Sequence, residues 1–157
     1  MIRIGYGSDI HRLIEGRPLI IGGVSIESCT GADGHSDADV LTHAITDAIF
    51  GALALGDIGT HFPNSDERWR NAESSMFLRF AVQEMRKCGY SIANVDSTIS
   101  LESPRLQPYA DRIRKTLSVV LDVPENCISV KAKTNEGLDS VGTKLAIRAD
   151  AVVLIQS

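Results

Sequence analysis

The sequence predicts an α+β fold, a two-layer sandwich in which a mixed β-sheet carries helices on one face. Three patterns lead there. Segments of period-two hydrophobic alternation stand at both ends of the chain. Amphipathic stretches with a three- and four-residue period lie between them. Strands follow one another directly in some places and are separated by helices in others. No composition shift, low-complexity tract or repeat divides the 157 residues, so 1–157 reads as a single domain. Hydrophobic residues make up 43% and charged residues 23%, which is enough apolar material for a core without disulfides.

Ile2, Ile4 and Tyr6 alternate with Arg3 and Gly5, giving a first strand. Leu19–Ile21 and Val24–Ile26 flank Gly22-Gly23, a hairpin signal, and the Gly-rich stretch Gly31–Gly34 reads as a loop. A helix is predicted over Ser36–Leu55, where Leu41, Ala44, Ile45, Ala48, Ile49, Ala52 and Leu53 form one stripe. Ser36 with Asp39 resembles a capping box, and Gly56 closes the helix. Asp57–Arg70 is a long polar loop, and loops of that length in small domains are usually functional. A second helix is expected over Ala72–Cys88, stopped by Gly89, and a third over Pro108–Leu121. Strands are expected over Val95–Leu101, Ile128–Ala132 and Leu145–Ile155.

The net charge of −4 and pI near 5.5 argue against a nucleic-acid partner. Cys29, Cys88 and Cys127 are widely spaced and odd in number, the pattern of reduced thiols in a cytosolic protein. No apolar run approaches ~18 residues, so no membrane span is expected. The chain enters a strand pattern at once, without a leader-like apolar segment, and reads as a soluble cytoplasmic protein of a bacterium.

All four histidines, His11, His35, His43 and His61, fall in the first 61 residues. Asp9 and His11 are two apart in a strand, so both side chains point to one face. His43 sits mid-helix at the edge of the apolar stripe, where it should lie close to the sheet. Asp9, His11 and His43 together make a three-ligand zinc site with one open position, the catalytic rather than the structural pattern. Asp39 and Asp47, four residues either side of His43, are either carboxylates that orient it or plain helix acids. His35 and Ser36 stand at the expected helix start, where free N–H groups suit a phosphate; Ser36 serves equally as an N-cap. Asp57-Ile58-Gly59 offers a carboxylate and backbone groups to hydroxyls, and Phe62–Asp66 follows it. Lys131–Gly137 gathers a cation, a hydroxyl, an amide and a carboxylate at a strand end, a set that suits a diphosphate with a hard cation such as Mg²⁺.

Taken in order, Arg3–His11, Gly34–Val40 leading to His43, Ala54–Gly59, Phe62-Pro63, Asn94–Asp96 and Lys131–Glu136 resemble the 2-C-methyl-D-erythritol 2,4-cyclodiphosphate synthase family across nearly the whole chain. The resemblance implies a homotrimeric lyase of the non-mevalonate isoprenoid route, with active sites between subunits. The 2-phosphate of 4-diphosphocytidyl-2-C-methyl-D-erythritol 2-phosphate attacks the β-phosphorus, and CMP leaves as the cyclic diphosphate closes. By matching positions Asp9, His11 and His43 hold Zn²⁺, with Asp9 and His11 also touching substrate. His35 and Ser36 contact phosphates, and His35 and Thr134 stabilise the transition state. Asp57, Ile58 and Gly59, with Phe62 and Asp66, bind the methylerythritol unit. Leu101, Pro104 and Leu106, with Ala132, Lys133 and Thr134, form the cytosine pocket. Glu136 holds a second divalent ion, Mg²⁺ or Mn²⁺.

The chain departs from the family pattern late, where Thr143 and Leu145 replace an arginine and a glutamate, and at Asn64, where aspartate is frequent. Rival readings are a zinc-dependent phosphoric ester hydrolase, a trimeric zinc synthase or lyase of the pterin type, and a non-catalytic trimer that binds isoprenoid diphosphates.

Overall fold

In the computed structural model, which describes residues 1–157, β1 (Ile2–Glu15) alternates as its sequence requires. Ile2, Ile4, Tyr6 and Ile10 face outward, while Gly5, Gly7 and Leu13 are buried against the helices. β1 pairs antiparallel with β7 (Ala146–Gln156), and β7 pairs antiparallel with β5 (Ser91–Ser100). β5 pairs in parallel with β6 (Ile128–Lys133), reached through the crossover helix α4 (Ala110–Leu121), as a parallel neighbour requires. β4 (Thr30–Ala32) lines the other edge of β1, giving the mixed order β4-β1-β7-β5-β6. β2 (Leu19–Ile21) and β3 (Val24–Ile26) form a separate hairpin whose turn uses the left-handed Gly22 and Gly23.

The helices cover one face of this sheet. α1 (Val40–Leu53) lies across β1 and β7, and α3 (Ser74–Lys87) packs on α1. α1 is apolar almost all round, and Leu41, Ile45, Ile49 and Phe50 have no solvent exposure, as a helix buried on several sides requires. The opposite face of the sheet is bare. Ile2, Ile4 and Ile10 remain 66%, 65% and 55% exposed there, beside Val152 at 41%.

Several expected boundaries move for local reasons. The first helix begins at Val40, because Ala38 adopts a left-handed φ of 56° that no helix accommodates. Asp39, not Ser36, is its N-cap and accepts the Thr42 N–H at 3.0 Å. Its carboxylate also accepts from Gly22 N at 2.9 Å, Gly23 N at 2.7 Å and Thr42 Oγ1 at 2.7 Å, so it ties the hairpin to α1 rather than orienting His43. Burial pushes the Asp39 carboxyl up, and these four donors oppose that. At the far end Ala54, itself left-handed, closes α1 ahead of Gly56. The strand Thr30–Ala32 takes up the first two residues of the loop expected over Gly31–Gly34. The polar segment 57–70 contains α2 (Ile58–His61) and a 3₁₀ turn, Glu67–Trp69, capped by Asp57 and Asp66. The second and third helices start at Ser74 and Ala110, each slightly late. A short α5 (Asp139–Gly142) was not expected from the sequence.

Candidate active site

Two glycines set the site. A Cβ on Gly5 would stand 1.7 Å from the Ala48 carbonyl oxygen, and one on Gly7 would stand 2.0 Å from that of Ala44. With no side chain at these inward positions, and with Ala44, Ala48 and Ala52 opposite, α1 lies directly on the β1 backbone. The next inward positions on β1 are Asp9 and His11, so the close approach brings His43 of α1 onto both.

The Asp9 carboxylate, His11 Nε2 and His43 Nδ1 converge, with all three candidate ligand atoms within 4.8 Å of one another. Asp9 Oδ2 is 2.9 Å from each nitrogen. His11 Nδ1 lies 2.7 Å from the Asp33 carbonyl oxygen. A carbonyl only accepts, so Nδ1 carries the proton and Nε2 keeps its lone pair. That Nε2 is buried and has no hydrogen-bond partner. A buried lone pair aimed at a carboxylate is unfavourable unless a cation stands between them, so these residues fit a divalent metal with two imidazoles and one carboxylate. When a proton on the imidazoles takes the place of that cation, burial pushes the Asp9 carboxyl up, but the two histidines outweigh it and hold Asp9 well below the usual carboxylate range. Burial pulls the His11 imidazole down, but Asp9 more than offsets that and raises it.

A cavity of about 260 Å³ opens over this cluster. His35, Ser36, Ile58, Gly59 and Phe62 line it with the three candidate ligands. Ser36 is buried, with its Oγ 3.3 Å from His43 Nε2. His35 Nε2 donates to the Asp66 carbonyl at 3.2 Å, tying the 33–39 loop to the segment behind it. Asp57 and Asp66 are outside the lining. Asp57 spends Oδ1 on the Thr60 N–H and hydroxyl, both at 2.8 Å, and these bonds pull its carboxyl down. Asp66 is paired to Arg68 at 2.6 Å. Asp47 does not reach His43. It accepts the Ile58 N–H at 2.7 Å and so anchors α2 to α1, while burial raises its carboxyl. His61 stacks on Phe50 at 4.2 Å and donates to the Leu55 carbonyl at 3.0 Å, a structural placement.

Sequence reasoning named Phe62 but missed Trp69 and Phe77, the rest of the apolar wall of this cavity. Phe62 packs on Phe77 with ring centroids 4.6 Å apart and meets Trp69 edge-on at 5.2 Å. Phe77 is spaced like any core residue of a helix, but a tryptophan inside a polar loop was a usable signal. Ser74, in contact with His43 Nε2 at 2.7 Å, was missed as well.

The remaining expected residues gather elsewhere. Leu101, Pro104, Leu106, Ala132, Lys133 and Thr134 line a second concavity at the ends of β5 and β6. Thr134 Oγ1 donates to Glu136 Oε1 at 3.0 Å, which places Glu136 beside this group and away from the triad. β7 and β5 stand between β1 and β6, so three strand spacings, about 14 Å, separate the two clusters across the sheet. Thr143 turns its hydroxyl onto the Asp139 carbonyl at 2.8 Å, and Leu145 is exposed.

This arrangement has close relatives. The model of the YgbB family matches residues 2–156. The chain is 53% identical to the 2-C-methyl-D-erythritol 2,4-cyclodiphosphate synthase of Laribacter hongkongensis, over 99% of this chain and 96% of that one. It is 49% identical to the enzyme of the same name from Salinibacter ruber, over 99% of each. Among solved structures, the bifunctional IspDF of Campylobacter jejuni superposes with a TM-score of 0.95 at 37% identity, over 99% of this chain and 42% of that longer one. The CDP complex of Plasmodium falciparum IspF gives 0.87 at 40% identity, over 98% of this chain and 95% of that one. With the family model matched over residues 2–156 and a relative 53% identical over 99% of this chain, the chain belongs to the YgbB family, the family of the 2-C-methyl-D-erythritol 2,4-cyclodiphosphate synthases.

Proposed function

We propose that this chain closes 4-diphosphocytidyl-2-C-methyl-D-erythritol 2-phosphate into 2-C-methyl-D-erythritol 2,4-cyclodiphosphate and releases CMP, as a CMP-forming lyase of the non-mevalonate route. The observation that carries the reading is the convergence of Asp9, His11 and His43 at the floor of a cleft that also holds His35, Ser36, Ile58 and Gly59. Both reacting groups are anionic, so bringing them together is the main barrier, and positioning with charge neutralisation is what the protein must supply. Asp9, His11 and His43 would hold a divalent ion such as Zn²⁺, which would supply charge neutralisation to the phosphates. His35 and Ser36 offer donors to the phosphates from the same wall. The backbone at Ile58 and Gly59, with Asp57 at the rim, meets the methylerythritol hydroxyls. Phe62, Trp69 and Phe77 exclude water, which would otherwise compete as nucleophile.

The cytosine end is assigned to the second concavity, where Leu101–Leu106 and Ala132–Thr134 would enclose a base, Thr134 would stabilise the transition state and Glu136 would hold a second divalent ion, Mg²⁺ or Mn²⁺. One chain holds these two half-sites apart, which supports a homotrimer with each active site shared between neighbours. The bare apolar face of β1 and β7 supports it too, because contiguous exposed apolar surface of this kind marks an association site. The domain 1–157 acts as one unit in this reading, and the free thiols of Cys29, Cys88 and Cys127 suit the bacterial cytoplasm. No helix is long and apolar enough to cross a membrane.

The test is product analysis by phosphorus NMR after incubation with Zn²⁺, Mg²⁺ and the cytidylyl substrate. Cyclic diphosphate with stoichiometric CMP is the expected result. CMP with linear phosphates only would make the protein a hydrolase, and no CMP at all would make it a binding protein. Within this reading Asp47→Ala should raise KM about tenfold and lower kcat less. It frees the Ile58–Gly59 backbone, and a hydrogen bond to a carboxylate is worth ~1.5–3 kcal/mol. Steady-state kinetics reads the split, and an unchanged KM would remove Asp47 from this role.

A further inference from the structure

We propose that Ser74 and Asp37 act as a positioning pair that sets the tautomer of His43 for metal binding, an inference that rests on the metal-centre reading above. Ser74 is the first residue of α3 and fully buried. Its Oγ contacts Asp37 Oδ1 on one side and stands 2.7 Å from His43 Nε2 on the other. A carboxylate only accepts, so the single hydroxyl proton goes to Asp37. The Ser74 oxygen is then left as an acceptor, and it is filled by an N–H on His43 Nε2. A neutral imidazole carries one N–H, so His43 Nδ1 keeps its lone pair, and Nδ1 is the nitrogen 2.9 Å from Asp9. Asp33 does the same for His11 through the opposite ring nitrogen. Each imidazole therefore has its outer nitrogen occupied and its inner nitrogen free.

Asp37 is itself held. Its Oδ2 accepts the Ser74 N–H at 3.0 Å, at the start of α3, where Glu73 supplies no side-chain cap. A helix N-terminus favours a carboxylate there. The Asp37 N–H donates to the Ala72 carbonyl at 3.0 Å, which closes the clip between the 33–39 loop and α3. Ser36 Oγ, at 3.3 Å from His43 Nε2, is the longer and secondary contact.

A purely structural clip and a tautomer lock differ in what they predict for the metal. Ser74→Ala should weaken Zn²⁺ about 10–100-fold in competition with a chelator, as removal of a metal ligand's outer partner does elsewhere. Asp37→Asn should be at least as damaging. Its amide can donate to Ser74 Oγ, turning the hydroxyl proton toward His43 Nε2 and favouring the N–H on the metal side. In the zinc-loaded parent, the His43 Nε2–H should appear as a low-field, slowly exchanging proton resonance, and Ser74→Ala should speed its exchange. Asp37 lies outside the core, so Asp37→Asn decides the matter if Ser74→Ala fails to fold. Folded variants that bind Zn²⁺ within about threefold of the parent, with that resonance unchanged, would overturn the pair alone. A parent that binds no Zn²⁺ would overturn the metal centre and the pair together.

Discussion

Replacing His43 with alanine should empty the metal site and lower kcat by ~10³-fold or more, while the protein stays folded. A bound divalent ion contributes several kcal/mol of charge stabilisation to a phosphoryl displacement, and ~4 kcal/mol corresponds to that factor. The fold should survive because the imidazole is at the cleft, with its side chain still 12% exposed, while the apolar residues on either side of it in α1 do the packing. Loss of the ring also leaves Asp9 with one histidine where it had two. Part of what holds that carboxyl low goes with it, and the two ligands that remain, Asp9 and His11, hold a divalent ion far less tightly than three. Metal content by mass spectrometry, the melting temperature and CMP release check the three parts separately. His61→Ala is the matching control, because that ring stacks on Phe50 and reaches the Leu55 carbonyl, away from the cleft. If His43→Ala kept one equivalent of zinc and most of its turnover, the ligand set would be wrong.

Much of this site was legible in the sequence because it depends on short-range periodicity. Asp9 and His11 share a face by the two-residue repeat of a strand, and His43 sits on the sheet side of α1 by the helical repeat. What was not legible depends on where the chain goes next. Ser36 and Asp39 fit a capping pattern locally, but the left-handed turn at Ala38 gives the cap to Asp39 and leaves Ser36 in the cleft wall. Ser74 reads as an ordinary residue at the start of a helix. Its contact with His43 exists only because the 33–39 loop is clipped to α3. Asp47 looked like a solvent-facing helix acid or a partner for His43, and its true partner, the Ile58 N–H, comes back to it through the turn after α1. The separation of the triad from the Leu101–Thr134 concavity is likewise a property of strand order, which no local pattern encodes.

The glycines of β1 join the fold to the chemistry, and Gly7→Ala should therefore damage both. Its Cβ would stand 2.0 Å from the Ala44 carbonyl oxygen and 2.7 Å from the Ala48 nitrogen, both helix backbone that cannot swing aside. The clash can be relieved only by lifting α1 off β1, with an overpacking cost of about 3 kcal/mol or more. For a domain of this size that lowers the melting temperature by roughly 6–12 °C. Ala44 adjoins His43, and Gly7 is two residues from Asp9, so the same displacement draws His43 Nδ1 away from the carboxylate it now approaches at 2.9 Å. Zinc affinity should fall with stability, in contrast to His43→Ala, where the metal is lost and the fold kept. Gly51→Ala provides the opposite sign. Gly51 lies within α1, where an added methyl meets nothing closer than the Tyr6 carbonyl oxygen at 3.7 Å. Alanine there should stabilise the helix by up to ~1 kcal/mol and leave the metal untouched. Thermal melts and chelator competition on the two variants read both quantities. A Gly7→Ala protein that melts with the parent and holds zinc as tightly would mean that the close contact of α1 with β1 is not what assembles the triad.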